Sequence, residues 1–133
     1  MSREILFKAK RVDNGEWVEG YYAIAKDYKG LTQHNILVAD NDLGYFKWHV
    51  IEPKTLCQYT GLTDKNGKKI WENDVVEILS EDENFKLEWQ DDTAQFVMSG
   101  DSFVVTFDNY WSHEVEVIGN IFDNPELLEG GAE

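Results

Sequence analysis

Apolar and polar positions alternate from the start of the chain. In "EILFKAK" (4–10), Ile5, Phe7 and Ala9 fall on one side, the period-two pattern of a half-buried strand. Asn14-Gly15 suits the positive φ of a hairpin tip. "WVEGYYAIA" (17–25) reads as the return strand, with Gly20 marking a bulge or a close backbone approach. Residues 26–35, "KDYKGLTQHN", lose the alternation and read as a loop. "ILVAD" (36–40) and "GYFKWHVIE" (44–52) are two further strands, ended by Pro53, which has no N–H to give a ladder.

"LCQYTGL" (56–62) is a short strand, Asn66-Gly67 is the second hairpin signal, and "KKIW" (68–71) runs back from it. "END" (72–74) makes a corner and "VVEIL" (75–79) leaves it as a buried strand. After the charged loop "SEDEN" come "FKLEWQ", "AQFVM", "SFVVTF" and "EVEVIGNIF" as strands, separated by "DDT", "SGD" and "DNYWSH". Many short strands at close spacing predict a small barrel or sandwich. Only the C-terminus asks for a helix. In "DNPELLEGG", Asn124 suits the N-cap, Pro125 the first helical position and Glu126 the dipole, and Gly130 or Gly131 stops it after about one turn.

A chain of 133 residues is one domain or two very small ones, with 42% hydrophobic and 14% aromatic residues to build a core. Charge changes the picture more. The net is −14, and it is lopsided: residues 1–70 hold eleven basic and nine acidic side chains, residues 71–133 one basic (Lys86) and seventeen acidic. Such a C-terminal half repels phosphate backbones, so direct nucleic-acid binding is not expected. It is either a solvated face or a dock for a basic partner, by imitation of nucleic acid. Unequal halves could also set subunit orientation in a homo-oligomer. The single cysteine, Cys57, has no partner for an internal disulfide, which is compatible with a reducing cytosol. The N-terminus has no apolar h-region, and no apolar run approaches the roughly twenty residues of a membrane span. A cytoplasmic address, with no membrane association, is expected.

Candidate chemistry is sparse. "LTDKNGKKIWEN" puts Asp64, Asn66 and Gly67 at positions of a calcium loop, but Leu62 and Asn73 occupy the two places that need carboxylates. It reads as a hairpin turn. His34, His49, His113 and Cys57 share no metal or nucleophile motif. Ser112-His113-Glu114 are neighbours in sequence, and on a strand neighbours point to opposite faces. Glu72 and Asp74 could pair as acid and base, yet such pairs arise by chance in so acidic a half, and Asp74 can instead accept backbone N–H bonds at the corner. No phosphate loop is present. Of Trp17, Trp48, Trp71, Trp89 and Trp111, most are expected in the core and one or two at an interface.

Three segments, "REILFKAKRVDNGEWVEGYY", "QYTGLTDKNGKKIWENDVVEI" and "EVIGNIFDNPELL", together resemble the YopX-like family of phage and prophage proteins. The resemblance spans nearly the whole chain and is least distinctive at about 23–55 and 80–112. It implies origin in phages and prophages, mostly of Gram-positive bacteria, and an SH3-type barrel with additional strands. No activity is established for that family, so no catalytic residue carries across. Where its corner usually reads Glu-Gly-Asp, this chain has Glu72-Asn73-Asp74. Asn is the next-best tenant of a left-handed position after Gly.

The expected architecture is therefore mainly β. Residues 1–54 form an N-terminal β region packed on the rest, and residues 55–133 an SH3-like barrel (over about 55–124) plus a short C-terminal helix. No catalytic, cofactor-binding or metal residues, and no cofactors, are assigned. The expected role is that of a non-enzymatic phage accessory protein, a binding or assembly module for a protein partner still to be identified. The alternative is an acidic decoy for a host DNA-binding protein.

Overall fold

The computed structural model describes residues 4–78, 83–101 and 103–129. The chain is mainly β, and it divides into two compact units, Met1–Tyr59 and Thr60–Glu133.

The first unit is built on a meander of β1 (Phe7–Lys10), β2 (Trp17–Lys26), β3 (Thr32–Asp40) and β4 (Tyr45–Val50), each antiparallel to the next. Gly15 sits at φ 74° in the β1–β2 turn, where a side chain would be strained. Gly20 answers to close approach: a Cβ there would collide with the Leu37 carbonyl of β3. Alternation then sorts the faces. Ala9, Ile36 and Ile51 are buried, with Phe7, Val18, Tyr22, Val38 and Leu56 packed around them. After β4, Ile51 bridges to Arg11, and Pro53–Thr55 makes a single 3-10 turn. The next strand, β5 (Cys57–Thr63), pairs with β1 through Cys57 and Gln58.

Residues 26–35 correct the sequence reading. The loop is only Asp27–Leu31, and Thr32–Asn35 already belong to β3. Asp27 Oδ1 accepts from the N–H groups of Lys29 and Leu31, at 2.9 Å each, and Gly30 takes φ 82°. The turn closes locally, so polar Thr32 and Gln33 are paired by backbone to Lys26 and Ala25 without an apolar pattern.

In the second unit β6 (Lys69–Trp71) pairs along the later part of β5, and Thr60 Oγ1 donates to the Ile70 carbonyl at 2.7 Å. A five-stranded antiparallel sheet follows, in the order β10 (Val104–Thr106), β9 (Gln95–Ser99), β8 (Asn84–Gln90), β7 (Asp74–Ile78), β11 (Val115–Asn120). One face of it, with Ile70 and Phe107, forms the core: Val76, Ile78, Phe85, Leu87, Met98, Val115 and Val117 are buried. This sheet is open, with β10 and β11 as its edges and no ladder between them among the described residues.

Two further readings are corrected here. "DNYWSH" is not a plain loop, because Asn109–Ser112 form a one-turn helix, α1, capped by Asp108 Oδ1 accepting from Tyr110 and Trp111 N–H. The last strand stops at Asn120, where the Asn120 side chain accepts from Phe122 and Asp123 N–H and turns the chain. The C-terminal helix is present as α2 (Glu126–Glu129). Asn124 turns its Oδ1 back to Asn120 N–H, and its carbonyl accepts from Leu127 N–H. The stop proposed at Gly130 or Gly131 lies outside the described residues, as do Ser80, Glu81 and Asp82 of the acidic loop.

Candidate functional site

The motif-bearing segment 59–78 commits its two aspartates to backbone. Asp64 directly follows β5 and is 3% exposed. Its Oδ1 accepts from Asn66 and Lys68 N–H at 2.8 and 2.9 Å, which shapes the Asn66-Gly67 turn with Gly67 at φ 83°. Its Oδ2 accepts from Val117 N–H of β11 at 2.9 Å. Burial pushes the carboxyl's pKa up. The three N–H donors, of Val117, Lys68 and Asn66, together with the Lys68 charge outweigh that and hold it below the ordinary aspartate value. A carboxylate held this way is a clamp between turn and strand, with both oxygens engaged.

The corner repeats the device. Asp74, also 3% exposed, accepts Trp71 N–H on Oδ2 at 2.8 Å. Between them Asn73 stands at φ 72°, its N–H on the Leu87 carbonyl and its own carbonyl accepting from Ile121 N–H. The left-handed corner is therefore real. Glu72 is only half-buried beside buried Asp74, so the two acids differ in environment.

The scattered nucleophile and base candidates do not assemble into a triad. Ser112 is buried and donates to the Asn109 carbonyl, while His113 and Glu114 are exposed. They lie at the end of α1 and not on a strand, but the outcome is the same separation. His34 on β3 bonds Tyr22 through Nδ1 and stacks on its ring. His49 on β4 has its pKa lowered, by burial first and then by the Arg11 and Lys47 charges, against the opposing pull of Asp13. Cys57 is buried, with Sγ on the Thr55 carbonyl at 3.2 Å. Among the described residues no three or more His, Cys, Asp or Glu are placed to hold a metal ion. Among those residues, too, no helix is long and apolar enough to cross a membrane.

What the sequence reading missed is an aromatic face. Register puts Tyr21, Leu37 and Trp48 in one cross-strand row of the first unit, with Ala39 and Phe46 in the next row on the same side. Tyr21, Phe46 and Trp48 are all exposed, and Tyr21 meets Phe46 edge-on at 6.0 Å. Toward β1 the same face carries Trp17, with Lys8 and Lys10 ammonium groups 4.6 and 5.4 Å from its ring centre. At its far end the β3–β4 turn leaves a shallow depression lined by Ala39, Asp40, Asn41, Gly44, Tyr45 and Phe46. Aromatics at both parities, 45, 46 and 48, were the available signal: one strand cannot hide both sides from water unless covered twice.

The tryptophans correct the expectation that most are core. Trp71 is buried, Trp17 and Trp111 are half-buried, and Trp48 and Trp89 are exposed. Trp89 continues the Phe85–Leu87 side of β8 past the buried residues and rests edge-on against Phe96 of the neighbouring strand, so ring pairing at the margin of the core takes the place of burial.

The fold is similar to that in the crystal structure of protein EF1440 from Enterococcus faecalis, with a TM-score of 0.57 and 21% identity, over 96% of this chain and 99% of that one. Among curated proteins none matches the chain. The model of the YopX protein family matches residues 6–129, so nearly every element described above falls inside it, and the chain belongs to that family.

Proposed function

We propose that this chain is a phage or prophage accessory protein, working in the host cytoplasm as a binding or assembly module without catalysis of its own. The observation that carries the reading is the division of labour among its side chains. Asp64 and Asp74, in the segment richest in motif-like residues, are buried and engaged by backbone N–H groups. The exposed aromatics Tyr21, Phe46 and Trp48, by contrast, are offered on one sheet face. Aromatic side chains that are half in water supply large contact area at low conformational cost, which is the chemistry of a protein interface. The finer architecture we infer is an SH3-like barrel over about 55–124, supported by its succession of short antiparallel strands with tight connections.

The test is capture of partners from lysate of a lysogenic or infected host, on immobilised wild type and on the Tyr21→Ala, Trp48→Ala double variant, at two salt concentrations. A partner held by wild type in high salt and lost by the variant supports the reading. Capture of nothing by wild type, or equal capture by both, removes it.

A second reading, the acidic decoy, draws on one observation. Glu77 of β7 stands directly opposite Glu116 of β11, a like-charged pair that a sheet ordinarily avoids. Lys65 lies 3.6 Å from Glu116 and Lys86 3.5 Å from Glu88, which dilutes the acidic face. Release of a host DNA-binding protein from DNA by stoichiometric wild type, but not by a Glu77→Gln, Glu116→Gln variant, would favour the decoy over the aromatic dock.

A further inference from the structure

Among the described residues, the outer edge of β4 is met by its own chain only at its end, where Val50 accepts from Val12 N–H. In an antiparallel ladder successive residues turn their N–H and C=O alternately to one neighbour and to the other. Two bonds fix the phase here. Ile51 N–H donates to the His34 carbonyl at 3.0 Å, toward β3, and the Val50 carbonyl accepts from Val12 N–H at 3.0 Å, on the other side. The pairs Ile36↔His49, Val38↔Lys47 and Asp40↔Tyr45 continue the first set. Tyr45, Lys47 and His49 therefore bond toward β3, and the N–H and C=O groups of Phe46 and Trp48 point away from it. Among the described residues no strand pairs with that edge.

Sheets usually blunt such an edge with charge, proline or a bulge. The strand "YFKWHV" has no proline and one fully charged residue, Lys47, which lies 3.5 Å from Asp40. Its side chains are in water on both faces, Tyr45 at 61% on one, Phe46 at 42% and Trp48 at 55% on the other.

We propose that β4 pairs antiparallel with β4 of a second copy of this chain, about a two-fold axis at Lys47. Phe46 exchanges both backbone hydrogen bonds with the partner's Trp48, and Trp48 does so with the partner's Phe46. This goes beyond the binding-module reading and does not depend on it.

The register follows from which groups are free. An axis at Trp48 would call on the Val50 carbonyl, already taken by Val12. An axis at Phe46 would call on Gly44, whose N–H closes the β3–β4 turn onto the Asp40 carbonyl. Of the three, the Lys47 axis alone pairs through the outward groups of Phe46 and Trp48, which no strand meets among the described residues. It also sets Phe46 opposite the partner's Trp48 on the aromatic face, a favourable cross-strand pair. Its cost is Lys47 facing the partner's Lys47, each countered by its own Asp40.

Charge selects a second copy meeting through this unit. Residues 1–59 hold eight basic and eight acidic side chains, whereas residues 60–133 hold four basic and eighteen acidic. Two neutral units can approach where two acidic ones repel. A segment that complements itself about a two-fold axis gives a closed dimer, not a fibre.

The test is sedimentation of wild type and Trp48→Pro across a concentration series, with amide hydrogen exchange on wild type. Proline at 48 removes an outward N–H and leaves the β3–β4 ladder whole, as edge strands tolerate. The expected result is a wild-type dimer, and a Trp48→Pro monomer with unchanged circular dichroism. In exchange, the Phe46 and Trp48 amides become protected as concentration rises, while those of Tyr45, Lys47 and His49 are protected throughout. Should Trp48→Pro fail to fold, the exchange pattern of wild type decides. A wild type that stays monomeric, a folded Trp48→Pro dimer, or Phe46 and Trp48 amides that exchange independently of concentration would each overturn the proposal.

Discussion

Asp64 Oδ2 accepts the backbone N–H of Val117, 53 residues further along the chain, at 2.9 Å. The same carboxylate holds the Asn66-Gly67 turn through Oδ1, so one side chain ties the β5–β6 hairpin to the last strand of the sheet. Lys65 N–H, bonded to the Val115 carbonyl at 3.1 Å, completes the seam.

Removing that carboxylate leaves the Val117 N–H without a partner in a buried place, while water can reach the turn. Hydrogen bonds to charged acceptors contribute about 1.5–3 kcal/mol each, and an orphaned buried donor costs about 1–3 kcal/mol. Asp64→Ala is expected to destabilise the chain by about 3 kcal/mol, and Asp64→Asn by about half of that, since an amide oxygen can still serve one side. Urea unfolding measures both. An Ala variant within about 0.5 kcal/mol of wild type, the usual range of an unimportant surface change, would deny Asp64 its clamping role.

Acid should undo the same clamp. The folded pKa of Asp64 is depressed below the ordinary 3.8. A depressed carboxyl contributes stability that is fully present above its unfolded pKa and is lost as pH falls through the folded one. The stability gap between wild type and Asp64→Asn is therefore expected to be constant from about pH 7 to about pH 5 and to shrink below about pH 4. Urea midpoints of the two proteins along that series give the answer. A gap that persists undiminished at the lowest pH where both fold would contradict the assignment.

The turn chemistry of this fold was legible, and its tertiary uses were not. Asn14-Gly15, Asn66-Gly67 and the Asn73 corner act locally, through φ, and all three stand where the residues placed them. The Asp108 cap of α1 was also a local signal, hidden because four residues give no period to read. Thr32–Asn35 escaped because backbone pairing alone makes them strand, with no apolar side to announce it. Asp64 looked like a failed cation ligand, since nothing near it in sequence names Val117 as its partner. The exposed edge at Phe46 and Trp48 is likewise a fact about which neighbour is missing, and a pattern of residue types does not record a missing neighbour. The family resemblance carried the membership and the mainly β class, but not the order in which the strands pair.

The left-handed corner can be tested by substitution. Asn73 at φ 72° is tolerable for Asn, free for Gly and crowded for a β-branched residue. Asn73→Gly is expected to be neutral or up to about 0.5 kcal/mol stabilising, and Asn73→Val to cost about 1–3 kcal/mol. Thermal melts of the two variants side by side decide it: equal midpoints would mean the corner relaxes without cost. The bonds to Leu87 and Ile121 make such relaxation expensive, because moving residue 73 breaks both.

Gly20 and Gly15 separate two reasons for glycine in one hairpin. At Gly20 the backbone is ordinary, but a Cβ would run into the Leu37 carbonyl and lie 3.0 Å from Ile36 Cγ2, and neither can retreat without breaking the β2–β3 ladder beside the core. At Gly15 no atom stands within 4 Å of a Cβ, and the only obstacle is φ 74°. Gly20→Ala is thus expected to cost about 3 kcal/mol or more by overpacking, and Gly15→Ala only about 1 kcal/mol by left-handed strain. Gly15→Asn, which keeps a residue tolerant of that region, should recover most of the smaller loss, whereas Gly20→Asn should unfold the first unit. Denaturation of the four variants measures the contrast. A Gly20→Ala protein as stable as Gly15→Ala would mean that β2 and β3 sit further apart than the Gly20–Leu37 contact requires.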